Sequence, residues 1–160
     1  MKNLRTPISL CIFFIIAGCN NGGTVKKETN APGPGKHKSV VDSLYDQVLA
    51  GHDAAMAKYG KLKNAENRVQ QLLDSMSKLP AKARTSLSSY TSQMDSLLAG
   101  LRKAKASMDK WMDDFNTDSA LNNIQQRIHY LSAENVKVDQ IRQSIFSNLK
   151  KADSLLTKKL

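Results

Sequence analysis

Residues 87–115 decide the fold, and they read LSSYTSQMDSLLAGLRKAKASMDKWMDDF. Apolar side chains recur here at alternating intervals of three and four residues: Leu87, Tyr90, Met94, Leu97, Leu101, Ala104, Met108, Trp111 and Phe115. This heptad spacing places them along one side of an α-helix, and it is typical of helices that pack lengthwise at shallow angles. The pattern predicts a long amphipathic helix over residues 82–115.

The same spacing occurs before and after this stretch, and it predicts two more helices over residues 40–78 and 119–158. The first set of seam positions is Tyr45, Val48, His52, Ala55, Tyr59, Leu62, Glu66, Val69, Leu73 and Met76. The second set is Leu121, Ile124, Ile128, Leu131, Asn135, Val138, Arg142, Ile145, Leu149, Ala152 and Leu156. Polar residues within the seams would help to fix which helices pair and in what register.

The helix boundaries are marked by capping and helix-breaking residues. Ser39 is a plausible N-cap with Asp42 three residues later, and Asp118 is a plausible N-cap for the third helix. Pro80 disfavours helical geometry at Leu79 and so ends the first helix. Turns this short place consecutive helices antiparallel. We therefore predict an all-α domain over residues 39–160, an up-down-up three-helix bundle with coiled-coil-like seams. The alternative is an extended hairpin that completes its core as a homodimer.

The N-terminal residues have the features of an export signal. Lys2 and Arg5 precede an almost wholly apolar stretch over residues 8–16, which is too short to span a membrane as a helix. Ile16-Ala17-Gly18-Cys19 follows, and it resembles the lipobox of bacterial lipoproteins. The resemblance implies that residues 1–18 are removed as a signal peptide and that Cys19 becomes the acylated N-terminus. Cys11 would leave with the signal, so the mature chain would have no free thiol.

Residues 19–38 are predicted to be the lipidated cysteine and a flexible linker. The segment contains two of the four prolines and four of the eight glycines, a composition that prevents regular structure. A flexible chain of this length spans about 25 Å. In the lipoprotein family an aspartate after the cysteine retains some members in the inner membrane. Asn20 and Asn21 stand here instead, so the expected location is the outer membrane, facing the periplasm.

The basic charge of the chain and its lack of catalytic motifs exclude several classes of function. The chain carries 24 Lys and Arg against 14 Asp and Glu, and only Lys2 and Arg5 would leave with the signal. An exported basic protein is expected to meet an anionic envelope component or a protein partner, and not nucleic acid. The sequence has no Gly-x-Ser-x-Gly turn, phosphate-binding glycine loop, His-Glu-x-x-His helix or Glu-x-x-His pair. We therefore expect a non-enzymatic protein without a cofactor.

One group of side chains nevertheless has the chemistry of a metal site. His52 and Met56 are four residues apart, as are Met108 and Met112, so each pair lies on one helix face. A hairpin turn centred on Pro80 would pair residue i with about 160 − i and place His52 opposite Met108. The second turn would bring His129 to the same end of the bundle. Thioether and imidazole ligands select copper(I), and Trp111 is placed to shield such an ion. These residue types resemble those of periplasmic copper-handling proteins, whereas the simpler interpretation is ordinary core packing.

Two stretches of the mature region resemble a family of small helical lipoproteins. They are YDQVLAGHDAAM at residues 45–56 and MDKWMDDF at residues 108–115. They are similar to stretches in lipoproteins of Gram-negative bacteria that are often labelled "viral A-type inclusion protein". That label implies a coiled-coil-like helical fold and no mechanism. The sequence therefore predicts a membrane-anchored, non-enzymatic helical binding or scaffolding module, with a copper(I)-binding protein as the alternative.

Overall fold

The computed structural model describes residues 38–157, and the signal peptide, Cys19 and nearly all of the predicted linker lie outside this range. Four helices pack against one another: α1 (Val40–Ser77), α2 (Ala81–Ser86), α3 (Ser88–Asp114) and α4 (Ile124–Leu156). Between residues 38 and 157 there is no β-strand. None of the helices described is long and apolar enough to cross a membrane. The predicted all-α class is confirmed.

The first predicted helix agrees with α1 to within one residue at its C-terminal end. Ser39 is the N-cap: its hydroxyl accepts a hydrogen bond from the backbone N–H of Asp42 at 3.1 Å. The Asp42 carboxylate accepts in return from the Ser39 N–H at 3.3 Å, which completes a capping box. The helix ends shortly before Pro80, as predicted.

The second predicted helix is divided into α2 and α3, so the prediction of one continuous helix is wrong. The two helices meet at Leu87, which is partly buried against the core, whereas α2 buries none of its own side chains. Ser86, Ser88 and Ser89 surround this junction. Serine hydroxyls compete for backbone hydrogen bonds and weaken a helix, and the Ser86 hydroxyl donates to the carbonyl of Lys82.

The third predicted helix begins later than expected, at Ile124, and its N-cap is Asn123 and not Asp118. The Asn123 side chain accepts from the backbone N–H of Gln126 at 3.0 Å. Residues 116–123 form turns instead of helix, and Ala120 has a left-handed backbone with φ 57°. This conformation interrupts the helix. Leu121 and Ile124, both predicted seam residues, are consequently 61% and 67% exposed.

The three long helices share one apolar core with a seven-residue repeat. In α1 the buried positions are Val48, Ala55, Leu62, Val69 and Met76. In α3 the buried positions alternate at intervals of three and four residues, and they include Met94, Leu97, Leu101, Ala104, Met108 and Trp111. In α4 the buried apolar residues are Leu131, Val138, Ile145 and Ala152. The buried apolar positions therefore recur at heptad intervals in all three long helices.

Cross-helix hydrogen bonds fix the directions of the helices. The Tyr59 hydroxyl of α1 donates to the Asp109 carboxylate of α3, and Arg102 of α3 donates to Glu66 of α1 at 3.2 Å. The position on α3 falls as the position on α1 rises, so these helices are antiparallel. Between α3 and α4, Trp111 bonds to Glu134, and the Tyr90 hydroxyl donates to the backbone carbonyl of residue 155. Because α3 runs opposite to both neighbours, α1 and α4 are parallel, and the core closes within one chain.

Candidate functional site

His52 and Trp111, two members of the predicted metal group, come together in the structure. Their ring centroids are 5.7 Å apart, with 33° between the ring planes. Trp111 in turn stacks on Phe115 at 4.8 Å, and Phe115 stacks on Tyr130 of α4 at 6.2 Å. A row of four aromatic rings thus crosses all three long helices near the end of the bundle where α1 begins.

The predicted partner of His52 was Met108, and this register is wrong by about one to two helical turns. Tyr59 lies opposite Asp109, where a turn centred on Pro80 would have placed Leu101. The turn and the short helix α2 together separate α1 from α3, so the centre of the hairpin lies beyond Pro80. His52 consequently packs against Trp111.

The remaining members of the predicted group differ in their accessibility. Met108 is fully buried, Met56 is partly buried against the core, and Met112 is 38% exposed. His129 is exposed on α4. Nδ1 of the His52 ring lies 3.0 Å from an Asp53 carboxylate oxygen, which leaves Nε2 as the other ring nitrogen that can bind a ligand. In the part of the chain that the structure describes, no three His, Cys, Asp or Glu side chains form a metal-binding group, so thioethers would have to complete one.

The aromatic row is anchored by a buried carboxylate that the hydrophobic pattern does not reveal. The indole Nε1–H of Trp111 donates to Glu134 at 2.9 Å, and the Lys137 ammonium donates to the other carboxylate oxygen at 2.7 Å. Glu134 is only 5% exposed. The hydrogen bond to Glu134 raises the pKa of the Lys137 ammonium above its usual value. Both carboxylate oxygens are therefore occupied by donors within the bundle, as burial of a charge requires.

Glu134 is one of three buried polar residues of α4, with Arg127 and Asn148. Successive members of this set are separated by seven or fourteen positions. Glu134 and Asn148 contact α3, whereas Arg127 donates to the carbonyl of Ser119 and lies over the Tyr45 ring of α1. Asn148 closely approaches Gly100 of α3: a Cβ built on this glycine would lie 2.2 Å from the Asn148 Oδ1. The heptad interval between these three residues is visible in the sequence. It does not by itself predict burial, because charged and amide side chains are not expected at core positions.

A groove between α1 and α4 is the second candidate site, and no sequence pattern points to it. It is open to solvent, has a volume of about 610 Å³ and includes apolar side chains in its lining, here called its floor. The floor comprises Ala65, Phe146, Leu149 and Leu156; Phe146 is 37% exposed although it is a large aromatic residue. An accessible apolar surface of this kind between two helices is suited to binding.

The rim of the groove is strongly basic. Lys58, Lys61 and Arg68 line it from α1 and Lys150 from α4, whereas Asp153 is the single acidic residue in the lining. Among the ion pairs found within residues 38–157, none involves these four cations. Four positive charges therefore lie beside an apolar surface. No carboxylate within residues 38–157 forms an ion pair with them, so they are available to a ligand.

Comparison with known proteins gives no further information on the function of the chain. No protein family, curated protein or solved structure matches the chain. The function must therefore be inferred from the side chains of the aromatic row and of the groove, together with the N-terminal sequence.

Proposed function

We propose that the chain is a membrane-anchored envelope lipoprotein whose helical body binds or scaffolds another envelope component without catalysis. In this proposal acylated Cys19 holds the protein in the outer membrane, facing the periplasm, and residues 20–38 connect it to an up-down-up three-helix bundle. The observation that carries the proposal is the basic, apolar-floored groove between α1 and α4. It is a binding surface on a body whose core is otherwise closed.

The dimensions of the bundle support a scaffolding role. Helix α1 has 38 residues and is therefore about 57 Å long. A narrow body of this length presents much of its surface along the sides of its helices. With a linker that spans about 25 Å, it would display the groove well clear of the lipid headgroups.

The use of polar groups in the interior supports a non-enzymatic role. Catalytic acids and bases need a free position from which to exchange protons with a substrate. Both oxygens of the Glu134 carboxylate are bound by Trp111 and Lys137, and the Asp109 carboxylate accepts from Tyr59. These groups stabilise contacts between helices.

The proposal is tested by cross-linking in intact cells, followed by affinity isolation of the full-length protein and mass spectrometry. The result expected is reproducible enrichment of one or a few envelope components over a Cys19→Ser control, which should be mislocalised. Isolation of the protein alone, together with measurable catalytic turnover of any envelope substrate, would contradict a binding role.

The contact between His52 and Trp111 favours copper(I) binding as a second candidate function. The ligands would be His52, Met56, Met108 and Met112, with His129 as a further donor and Trp111 as the shielding ring. Copper(I) would be titrated against a competing chelator while Trp111 fluorescence is followed. Met56→Leu and Met108→Leu conserve volume, so they should abolish quenching while retaining the fold. Met94→Leu, at a fully buried position of α3 two heptads before Met108, is the matched control and should leave quenching unchanged.

A further inference from the structure

We infer that the groove between α1 and α4 binds an amphipathic, acidic α-helix of a partner protein. This inference rests on the binding role proposed above and specifies the chemistry of the partner. Three properties of the groove carry it: its open shape, the length of its lining on α1 and its positive rim.

The shape of the groove favours a helix over a small ligand. Small molecules bind in concave sites that bury most of their surface, whereas this groove is open to solvent. Its lining on α1 runs from Lys58 to Arg68, a distance of about 15 Å or three helical turns. A helix laid in a groove of this kind inserts apolar residues at intervals of three and four. It would become a fourth helix packed on α1 and α4.

The charge of the rim specifies an acidic partner. Lys58, Lys61, Arg68 and Lys150 surround the floor, with Asp153 as the opposing charge. Glutamates or aspartates beside the apolar face of a docked helix would lie close to these cations. The apolar side chains of the same helix, such as leucines, would cover Phe146. Complementary charge of this kind increases the association rate and selects the partner.

The same charges disfavour a second copy of this chain as the occupant. Without residues 1–18 the chain has 22 Lys and Arg against 14 Asp and Glu, a net charge of +8, so two copies repel each other. Two of the three acidic residues near the end of α3 are engaged within the chain. Asp109 accepts from Tyr59, and Asp114 accepts from Lys110 at 2.8 Å.

The inference is tested with two labelled helical peptides of about 14 residues. Both carry leucines at i, i+3, i+4 and i+7; one has flanking glutamates and the other has lysines in their place. Each is titrated by fluorescence anisotropy against the full-length protein in phosphatidylcholine nanodiscs, which are neutral. The acidic peptide should bind at least about tenfold more tightly than the basic one, and added salt should weaken its binding.

Matched variants locate the binding surface. Lys58→Glu combined with Lys150→Glu should reduce affinity for the acidic peptide about tenfold. Lys63→Glu combined with Lys103→Glu reverses two exposed lysines outside the groove and should leave affinity nearly unchanged. Phe146→Ser should weaken both peptides because it removes part of the apolar floor. Circular dichroism checks that each variant keeps its helix content. Equal binding of the two peptides, or equal effects of the two double variants, would overturn the inference.

A photo-reactive amino acid at position 146 identifies the occupant in cells. Cross-linking to an acidic helical segment of another protein supports the inference, whereas cross-linking to lipid or to a second copy overturns it. The underlying binding role is tested separately. If the complexes cross-linked in intact cells persist in the Lys58→Glu, Lys150→Glu variant, the protein is a binding module that uses another surface, and only the assignment to the groove fails.

Discussion

Gly100 lies where α3 and α4 approach most tightly, and its lack of a side chain is a packing requirement. A Cβ there would meet Asn148 Oδ1 at 2.2 Å, and Asn148 is held by its hydrogen bond to the carbonyl of Ser144 at 2.8 Å. Gly100→Ala should therefore lower the free energy of unfolding by about 1–3 kcal/mol in urea denaturation. Gly60 is the control: a Cβ added there would meet nothing within 4 Å, so Gly60→Ala should stabilise the helix by about 0.5–1 kcal/mol.

The two alanine variants would contradict this packing argument if both were stabilising. The double variant Gly100→Ala, Asn148→Ala gives an internal check, because it removes the amide that the new methyl group meets. Its destabilisation should be smaller than the combined effects of the single changes, which is the signature of residues in direct contact.

Tyr59 makes the stability of the fold sensitive to high pH. Burial, with a smaller contribution from the hydrogen bond to Asp109, raises its pKa from 10.0 to about 12. Below pH 10 the phenol is neutral in both folded and unfolded chains, and its contribution to stability is complete. Between pH 10 and 12 the unfolded chain loses the proton first, so this contribution is lost as the pH rises.

The test for Tyr59 is urea unfolding of the wild type and Tyr59→Phe at about pH 9 and about pH 11.5. The wild type should lose more stability than the variant between these two values, since phenylalanine cannot ionise. Comparing the two proteins removes the effect of lysines that titrate in the same range. Parallel losses in both proteins would show that Tyr59 ionises as easily in the folded state as in the unfolded state.

At the scale of the element, helix α3 is predictable because its apolar residues alone define its buried face. Every predicted seam position from Met94 to Trp111 is buried. The break at Leu87 is not predictable from the heptad pattern, because the pattern continues through it. The junction depends on how Leu87 reaches the core and on the weak helix propensity of the surrounding serines.

The buried face of helix α4 can be predicted only in part from its sequence. The burial of Leu131, Val138 and Ile145 follows from the heptad pattern and is confirmed. The side facing α3 instead carries Glu134 and Asn148, whose burial depends on partners supplied by another helix: Trp111 donates to Glu134, and Gly100 makes room for Asn148. A pattern of hydrophobicity along one segment contains no information on partners from elsewhere in the chain.

Helix α2 should be the least stable of the four. It has six residues, none of them buried, and its N-cap residue Pro80 makes no side-chain capping bond. A helix this short is unstable without tertiary packing. Among the helices, amide hydrogen exchange, followed by mass spectrometry, should be fastest between residues 83 and 86 and slowest around Leu62 and Leu101, which are fully buried. Protection of α2 equal to that of α3 would show that it unfolds only with the whole bundle.

At the scale of the whole molecule, the helical body and the proposed anchor are separate in both sequence and function. The helices of residues 38–157 share an apolar core that is formed by their own side chains. In the proposed function, anchoring would depend on residues before the helical body, and above all on the thiol of Cys19. Changes in the anchor should therefore alter location while the thermal stability of the body stays the same.

The two cysteines allow this separation to be tested with a matched pair of variants. In cells supplied with a palmitate analogue, the wild type should incorporate the label, and Cys19→Ser should lose it because only a thiol forms the thioether. Cys11→Ser should be labelled like the wild type, since Cys11 would be removed with the signal peptide. Intact mass should show cleavage before residue 19 in the wild type and in Cys11→Ser. If Cys19→Ser retained the label, or if Cys11→Ser lost it, Cys19 would not be the anchor, and the basic groove would have to act in another location.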